Sequence, residues 1–425
     1  MRSVNGSTTR RYLLDWLAPA LFALLVSATI RYHSLAPMPT MPRMVGNLLG
    51  LAAVALVGLM ALGRRLAVPR DIAVPGLLLM ASAIVSVLGS GDADSSLLRL
   101  ELYLAMGLLA MVFYLTYRDA GQVPSASYFL AVSLVHLPFL LAAVLWIKHL
   151  APPFWQGGHR LAEFGHVRQF GEFGFFAAAS GTALTALSRR MIVPSFLLAT
   201  AALFGLVLTG CRGALLSWVL FVLLLCRFGQ TRLRTGLHGL LALACSSAVV
   251  VYLQGSGQLL SPNIFARMAA MRSGAMAAIQ AGSSPDPASG RIDIWISAAK
   301  QIAVHPLFGS GPEGYLLSGC CDRTILQAHD FMLQFLLEFG AVGCGLALWL
   351  LMRAIRHLGG LSGVSRLVLA SPGNRVLACL LAAYFAYSLI DQTMYHLLPL
   401  LLFALFAGLF AAGLAQARGP VRIPD

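Results

Sequence analysis

The apolar residues of this chain fall into long blocks, with polar and charged residues gathered at the block ends. Blocks of about 17 to 25 residues recur from one end to the other, and a helix of that length crosses the ~30 Å hydrocarbon layer of a bilayer. Twelve such helices are predicted, over residues 13–30, 44–62, 72–89, 97–117, 124–148, 171–187, 191–208, 213–226, 238–254, 329–352, 376–393 and 397–416. The expected fold class is all-α, a polytopic integral membrane protein.

Most connections between the blocks are short. A 74-residue segment, 255–328, is the main exception, and it divides the chain into nine helices (1–254), a long loop (255–328) and three closing helices (329–425). Within the loop, "SPNIFARMAAMRSGAMAAIQAG" sets Ile264, Met268, Met271 and Ala275 at helical spacing with Arg267 and Arg272 interspersed. That is the pattern of a helix lying along a bilayer surface. "AGSSPDPASG" breaks it, and "RIDIWISAAKQIAVHP" starts another, with Ile294, Trp295, Ala298 and Ile302 as its packed stripe and Pro306 beyond its end. A second loop, 149–170, is polar, aromatic and basic.

Composition agrees with this pattern: 58% of the 425 residues are hydrophobic and 11% charged, against roughly 25% charged in an ordinary soluble domain. Charge then supplies an orientation, because Arg and Lys are retained in short cytoplasmic loops. With the N-terminus inside, 18 of the 30 basic residues fall in cytoplasmic segments, both termini are cytoplasmic, and the long loop is external. The opening "TTRRYLLDW" looks like a twin-arginine export signal, but eleven further spans follow, so it reads as an uncleaved first helix. The seven cysteines show no metal-ligand spacing. Cys226, Cys245, Cys344 and Cys379 lie in or beside apolar runs, as small buried residues do. Cys211, Cys320 and Cys321 face the outer side, where an oxidising compartment permits a bridge from Cys211 to either member of the neighbouring pair.

The candidate chemistry is on the outer face. Arg160, Arg168, Arg212, Arg267, Arg272, Arg291, Lys300 and Arg323 all fall there, against the direction that topology favours, and only two of the chain's 30 bases are lysine. The planar guanidinium binds phosphate oxygens in pairs and stays ionised where water is scarce, so a diphosphate partner accounts for the preference. Arg212, in "LVLTGCRGALLSWVL", stands between two apolar runs, where an arginine costs about 2.5–3.5 kcal/mol at full membrane depth and calls for an anion. Its alternative is a lipid-headgroup contact. In "HPLFGSGPEGY", Gly309, Gly311 and Gly314 have dinucleotide-motif spacing but no preceding strand or following helix; they predict a tight connection whose amides could face an anion. His329 and Asp330 are expected in the first turn of the tenth helix, with His329 either a proton acceptor or a headgroup anchor. Glu338 lies about 13 Å deeper, where a carboxylate must be neutral or paired, and is expected to be structural.

Three segments together resemble the O-antigen ligase and polymerase superfamily of periplasm-facing glycosyltransferases. "TGCRGALLSW" is similar to its T-G-S-R-G-A motif, with Cys211 where serine is common. "GRIDIWISAAKQIAVHPLFGSGPEGY" resembles its long-loop arginine, tryptophan and H-P-L-x-G-x-G motif, and "AHDFMLQFLLEFGAVG" its H-N-x-x-L-x-x-x-x-E-x-G helix start, with Asp330 where asparagine is usual. The resemblance covers residues 205–345 and implies a GT-C-like architecture that transfers a glycan from undecaprenyl diphosphate to an acceptor hydroxyl. It implies a Gram-negative inner membrane, an active site facing the periplasm, and no metal or other cofactor. Partners are the lipid-linked glycan, the lipid A-core acceptor and membrane lipids, with no nucleic acid. Carried over by position, His329 is the general base on the acceptor hydroxyl, and Arg212 and Arg291 grip the diphosphate. Arg168 and Arg160 join them, in a loop that lacks the family's N-P-N. A ligase is favoured over a polymerase and a protein O-oligosaccharyltransferase; a secondary transporter and a non-catalytic envelope partner are the readings from other classes.

Overall fold

The computed structural model of the protein describes residues 13–35, 70–150, 167–229, 231–256, 273, 291–317, 327–391 and 393–418. All regular structure among them is helical. The principal helices are α1 (Ala18–Leu35), α2 (Arg70–Leu88), α3 (Ala93–Arg118), α4 (Ser125–Leu150), α5 (Val167–Leu187), α6 (Ile192–Thr209) and α7 (Arg212–Phe228). They continue with α8 (Arg232–Gly255), α9 (Arg291–Val304), α10 (Phe331–His357), α11 (Gly360–Ala370), α12 (Pro372–Asp391) and α13 (Leu397–Arg418). The chain is thus an all-α polytopic membrane protein. Eight of the described helices are long and apolar enough to cross a bilayer: α2, α3, α4, α6, α8, α10, α12 and α13. The expected spans 13–30, 171–187 and 213–226 correspond to α1, α5 and α7, whereas 44–62 lies outside the described residues.

The chain forms two compact units. One comprises residues 1–42, 122–285 and 372–384, the other 43–121, 286–371 and 385–425.

In the first unit α5 is the core helix. From Phe170 to Thr185 every residue is buried, so Glu172, Ser180, Thr182 and Thr185 can be carried on a helix whose surroundings are protein rather than lipid. Gly181 permits a close backbone approach, since a Cβ there would lie 2.7 Å from the Ala199 backbone nitrogen of α6. Polar bonds tie neighbouring helices to α5, among them Trp218 Nε1 donating to Thr182 Oγ1 (3.2 Å) and Arg234 Nη2 to the Thr185 carbonyl (2.6 Å).

In the second unit α13 lies along α3. Gly408 would meet the Ala110 carbonyl at 2.4 Å if it carried a Cβ, and Gln416 Nε2 donates to the Tyr117 carbonyl at 2.6 Å. Asp92 starts α3 by accepting from the Ser95 amide (3.1 Å), the usual way in which an aspartate satisfies a helix N-terminal donor. Helix α11 was not anticipated, because its 11 residues are too few to span a bilayer.

The loop helix matches its predicted limits. Ile294 and Ala298 of α9 are buried with Tyr315, Ala328 and Leu337, and Ile302 packs against that cluster, while Trp295 is only half-buried. The earlier amphipathic stretch with Arg267 and Arg272 lies outside the described residues.

Candidate active site

The turn "TGCRGA" is a two-residue reversal between α6 and α7. Gly210 ends α6 at φ 67°, a left-handed conformation that glycine adopts without strain, and its amide donates to the carbonyls of Leu206 and Val207. Thr209 Oγ1 donates to the Gly205 carbonyl (2.8 Å) and lies 3.3 Å from Cys211 Sγ. Cys211 fills the space over Gly171, where a Cβ would come within 2.4 Å of the sulfur. The reversal makes Arg212 the first residue of α7. Arg168 is the second residue of α5, one turn before that contact, so these two expected diphosphate ligands belong to helices whose first turns touch. Arg160, Arg323, Cys320 and Cys321 lie outside the described residues.

In the second unit Arg291 is the first residue of α9. A cation at a helix N-terminus opposes the helix dipole, so neither Arg212 nor Arg291 is placed there to stabilise its helix. The N-terminal amides and the guanidinium both favour an anion.

His329 is not in the first helical turn, as the sequence pattern suggested. Asp330 is the N-cap of α10, its Oδ1 accepting from the Leu333 amide at 2.8 Å, and His329 precedes it with φ 54°. The physical reason is the cap itself, whose extended backbone ends the helix at that point. Aspartate and asparagine cap comparably, which accounts for Asp330 in place of the more usual asparagine.

Three segments converge on Asp391, at the end of α12. Its Oδ1 lies 3.4 Å from Arg291 Nη2 and 3.6 Å from His329 Nδ1, with side-chain exposures of 10%, 25% and 13% for the aspartate, arginine and histidine. The 3.6 Å separation is an electrostatic contact rather than a hydrogen bond. Two residues before His329, Gln327 Nε2 lies 3.3 Å from His396 Nε2. The sequence reading missed Asp391 and His396. Asp391 did carry a signal, since it lies inside the predicted span 376–393 and an ionisable residue within a span is costly unless it is used.

The glycine motif has a different use from the one its amides suggested. Gly340 interrupts α10 with φ 63° and ψ −171°. The loop crosses this break: the amides of Ala341 and Val342 donate to the carbonyls of Pro306 (2.9 Å) and Leu307 (3.0 Å). In return Ser310 and Gly311 donate to the carbonyls of Leu337 (2.8 Å) and Glu338 (3.1 Å), and Gly309 donates to His305 (3.0 Å). These amides are consumed in the junction, leaving no anion cradle. A Cβ on Gly309 would lie 2.4 Å from the Glu338 carbonyl oxygen, and one on Gly340 2.3 Å from that of Leu307.

Glu338 is structural, as expected. Its Oε1 accepts from Gln334 Nε2 (2.7 Å) and the Glu313 amide (3.3 Å), its Oε2 from the Tyr103 hydroxyl (3.2 Å), and its carbonyl from the Ser86 hydroxyl. Arg99 completes the junction. It donates to Glu313 Oε1 (2.7 Å) and to the Tyr395 carbonyl (2.9 Å), and lies 3.9 Å over the Tyr395 ring, whose hydroxyl donates to Glu313. Burial raises the Tyr395 phenol above its ordinary pKa, which keeps it a donor. The turn bearing Tyr395 and His396 is thereby tied to the loop that follows α9.

Helices long enough to span define a polytopic membrane protein, and the basic groups at helix starts and the imidazole beside a carboxylate are its candidate functional groups. Residues 196–350 match the family model described as O-Antigen ligase, and over that region the match supports the O-antigen ligase and polymerase superfamily. Members of that superfamily are glycosyltransferase-like ligases or polymerases that use lipid-linked glycan and lipid-based acceptor, and the match supports an enzyme of that general kind. The matched region includes Arg212, Arg291 and His329, and excludes Arg160, Arg168 and Asp391. No curated protein matches the chain.

Proposed function

We propose that the protein is an O-antigen ligase, transferring a glycan from undecaprenyl diphosphate to a hydroxyl of the lipid A core at the periplasmic face of a Gram-negative inner membrane. The observation that carries the reading is the placement of one carboxylate, Asp391, against both Arg291 and His329. A carboxylate on the Nδ1 side of an imidazole favours the tautomer that leaves Nε2 able to accept a proton. His329 Nε2 takes the proton of the acceptor hydroxyl as its oxygen bonds to the anomeric carbon of the donor. The bond from that carbon to the diphosphate oxygen breaks, and negative charge develops on the leaving group. Arg291 stabilises that charge, exchanging its contact with Asp391 for the diphosphate. Arg212, Arg168 and Arg160 keep the donor-binding role that the sequence resemblance gives them.

The test is transfer by purified protein supplied with lipid-linked glycan and either lipid A core or a second lipid-linked glycan. Product on the lipid A core is expected. Elongation of the lipid-linked glycan makes the protein a polymerase, and no product from either acceptor removes the reading altogether.

A further inference from the structure

We propose that α9 and the turn after it form a re-entrant element seated in membrane lipid, with one flank of the helix and residues 304–308 against acyl chains. Three flanks of α9 differ in kind. Successive helical residues are about 100° apart, so Ile294, Ala298 and Ile302 share one flank, which packs on the cluster that includes Leu337 of α10. Ile292, Ile296, Ala299 and Ala303 share a second, and all four are exposed. Asp293, Ser297 and Lys300 share the third. A surface helix in water needs one apolar stripe, the one it packs. A second apolar flank beside a charged one suits a helix that meets protein, hydrocarbon and water at once.

The bonds to α10 set the depth. Val342, whose amide donates to the Leu307 carbonyl (3.0 Å), stands fifteen residues before His357, about 22 Å at helical rise. His357 follows Arg356 and meets Asp71 at the start of α2 (2.6 Å), so α10 leaves the hydrocarbon at that end. The layer is ~30 Å thick, and the turn therefore lies about 8 Å inside its other face, with any tilt of α10 taking it deeper. There Val304 and Leu307 are 65% and 60% exposed. A protein partner would have to reach below the membrane surface to cover them, whereas lipid is already there.

Irregular backbone is tolerated at such depth only where protein satisfies its polar groups. The interlock at Gly340 supplies this: the carbonyls of Pro306 and Leu307 accept from α10, and the amides of Gly309, Ser310 and Gly311 donate to the carbonyls of His305, Leu337 and Glu338. Trp295, half-buried, and His305, exposed at the end of α9, are amphipathic side chains able to keep a polar tip toward the rim.

Arg291 is the first residue of α9, at most about 20 Å from Val304. A seated helix holds its guanidinium near the height of lipid phosphates, a consequence that rests on the donor reading above.

A coumarin amino acid incorporated in turn at positions 307, 296 and 300 tests the seat in vesicles of phosphatidylcholine brominated near the ester end of its acyl chains. Positions 307 and 296 should be quenched by the bromolipid and at least threefold less by aqueous iodide than position 300. Equal iodide quenching at 307 and 300 overturns the proposal, and quenching by neither reagent at 307 also overturns it, giving the face to protein. Ile296→Glu, at an exposed position, should melt in detergent as wild type does yet bind a polyprenyl diphosphate in vesicles about tenfold more weakly, with Lys300→Gln unchanged. Undiminished binding by Ile296→Glu removes the control over Arg291. Wild-type protein that binds no polyprenyl diphosphate removes the donor reading instead and leaves the quenching to decide the seat.

Discussion

The two arginine motifs make an instructive pair. Arg212 is placed by residues adjacent to it: a threonine, a left-handed glycine and a packed cysteine reverse the chain and begin a new helix with the guanidinium as its first residue. Arg291 also begins a helix, but its partner Asp391 is a hundred residues away and the neighbouring imidazole belongs to a third segment. One position is a property of a hexapeptide. The other is a property of the folded unit, and it depends on the interlock between the 305–311 loop and the break at Gly340. Local motifs of the first kind tolerate distant change; assembled sites of the second kind should not.

Substitutions can break that contrast, and the largest effect is expected at the imidazole. His329→Ala should lower transfer by about 10²–10⁴-fold, the range for a general base, while bound donor is still detected by equilibrium binding; full turnover would remove the base. Arg291→Ala and Arg212→Ala come next. Each should weaken donor binding by about 1.5–3 kcal/mol, the scale of a hydrogen bond to a charged group, as read by titration with lipid diphosphate.

Asp391→Asn separates the roles that the aspartate combines. The turnover number should fall by roughly tenfold, about 1.4 kcal/mol of transition-state stabilisation, with donor KM unchanged or lower because Arg291 loses a competing anion. A raised KM with unchanged turnover would restrict Asp391 to binding. Gly340→Ala tests the interlock: its Cβ collides with the Leu307 carbonyl at a left-handed position, so stability should drop by about 1–3 kcal/mol in thermal unfolding, with activity lost alongside. The smallest change is expected from Cys211→Ser, below about 1.5 kcal/mol, because the smaller hydroxyl fits over Gly171 and still neighbours Thr209. If Cys211→Ser proved as damaging as Gly340→Ala, the local reversal would be no more self-contained than the interlocked site.

Much of the fold was legible in advance because the cost of placing backbone and side chains in hydrocarbon is imposed residue by residue. The limits of α9, the reversal before Arg212 and the structural role of Glu338 followed from such local terms. Helix α11 escaped because it is too short for a span. The position of His329 outside the helix escaped because capping by Asp330 decides the boundary within one residue.

The sequence by itself determined an all-helical membrane protein, the order of its apolar segments and the residue types available for an anion and a proton. Only the tertiary structure decided that Asp391 meets Arg291 and His329, and that the motif glycines dock a loop into a broken helix. The reason is physical: hydropathy and capping act between near neighbours in the chain, whereas a carboxylate chooses its cation and a loop its receptor through contacts that exist only after distant segments have packed.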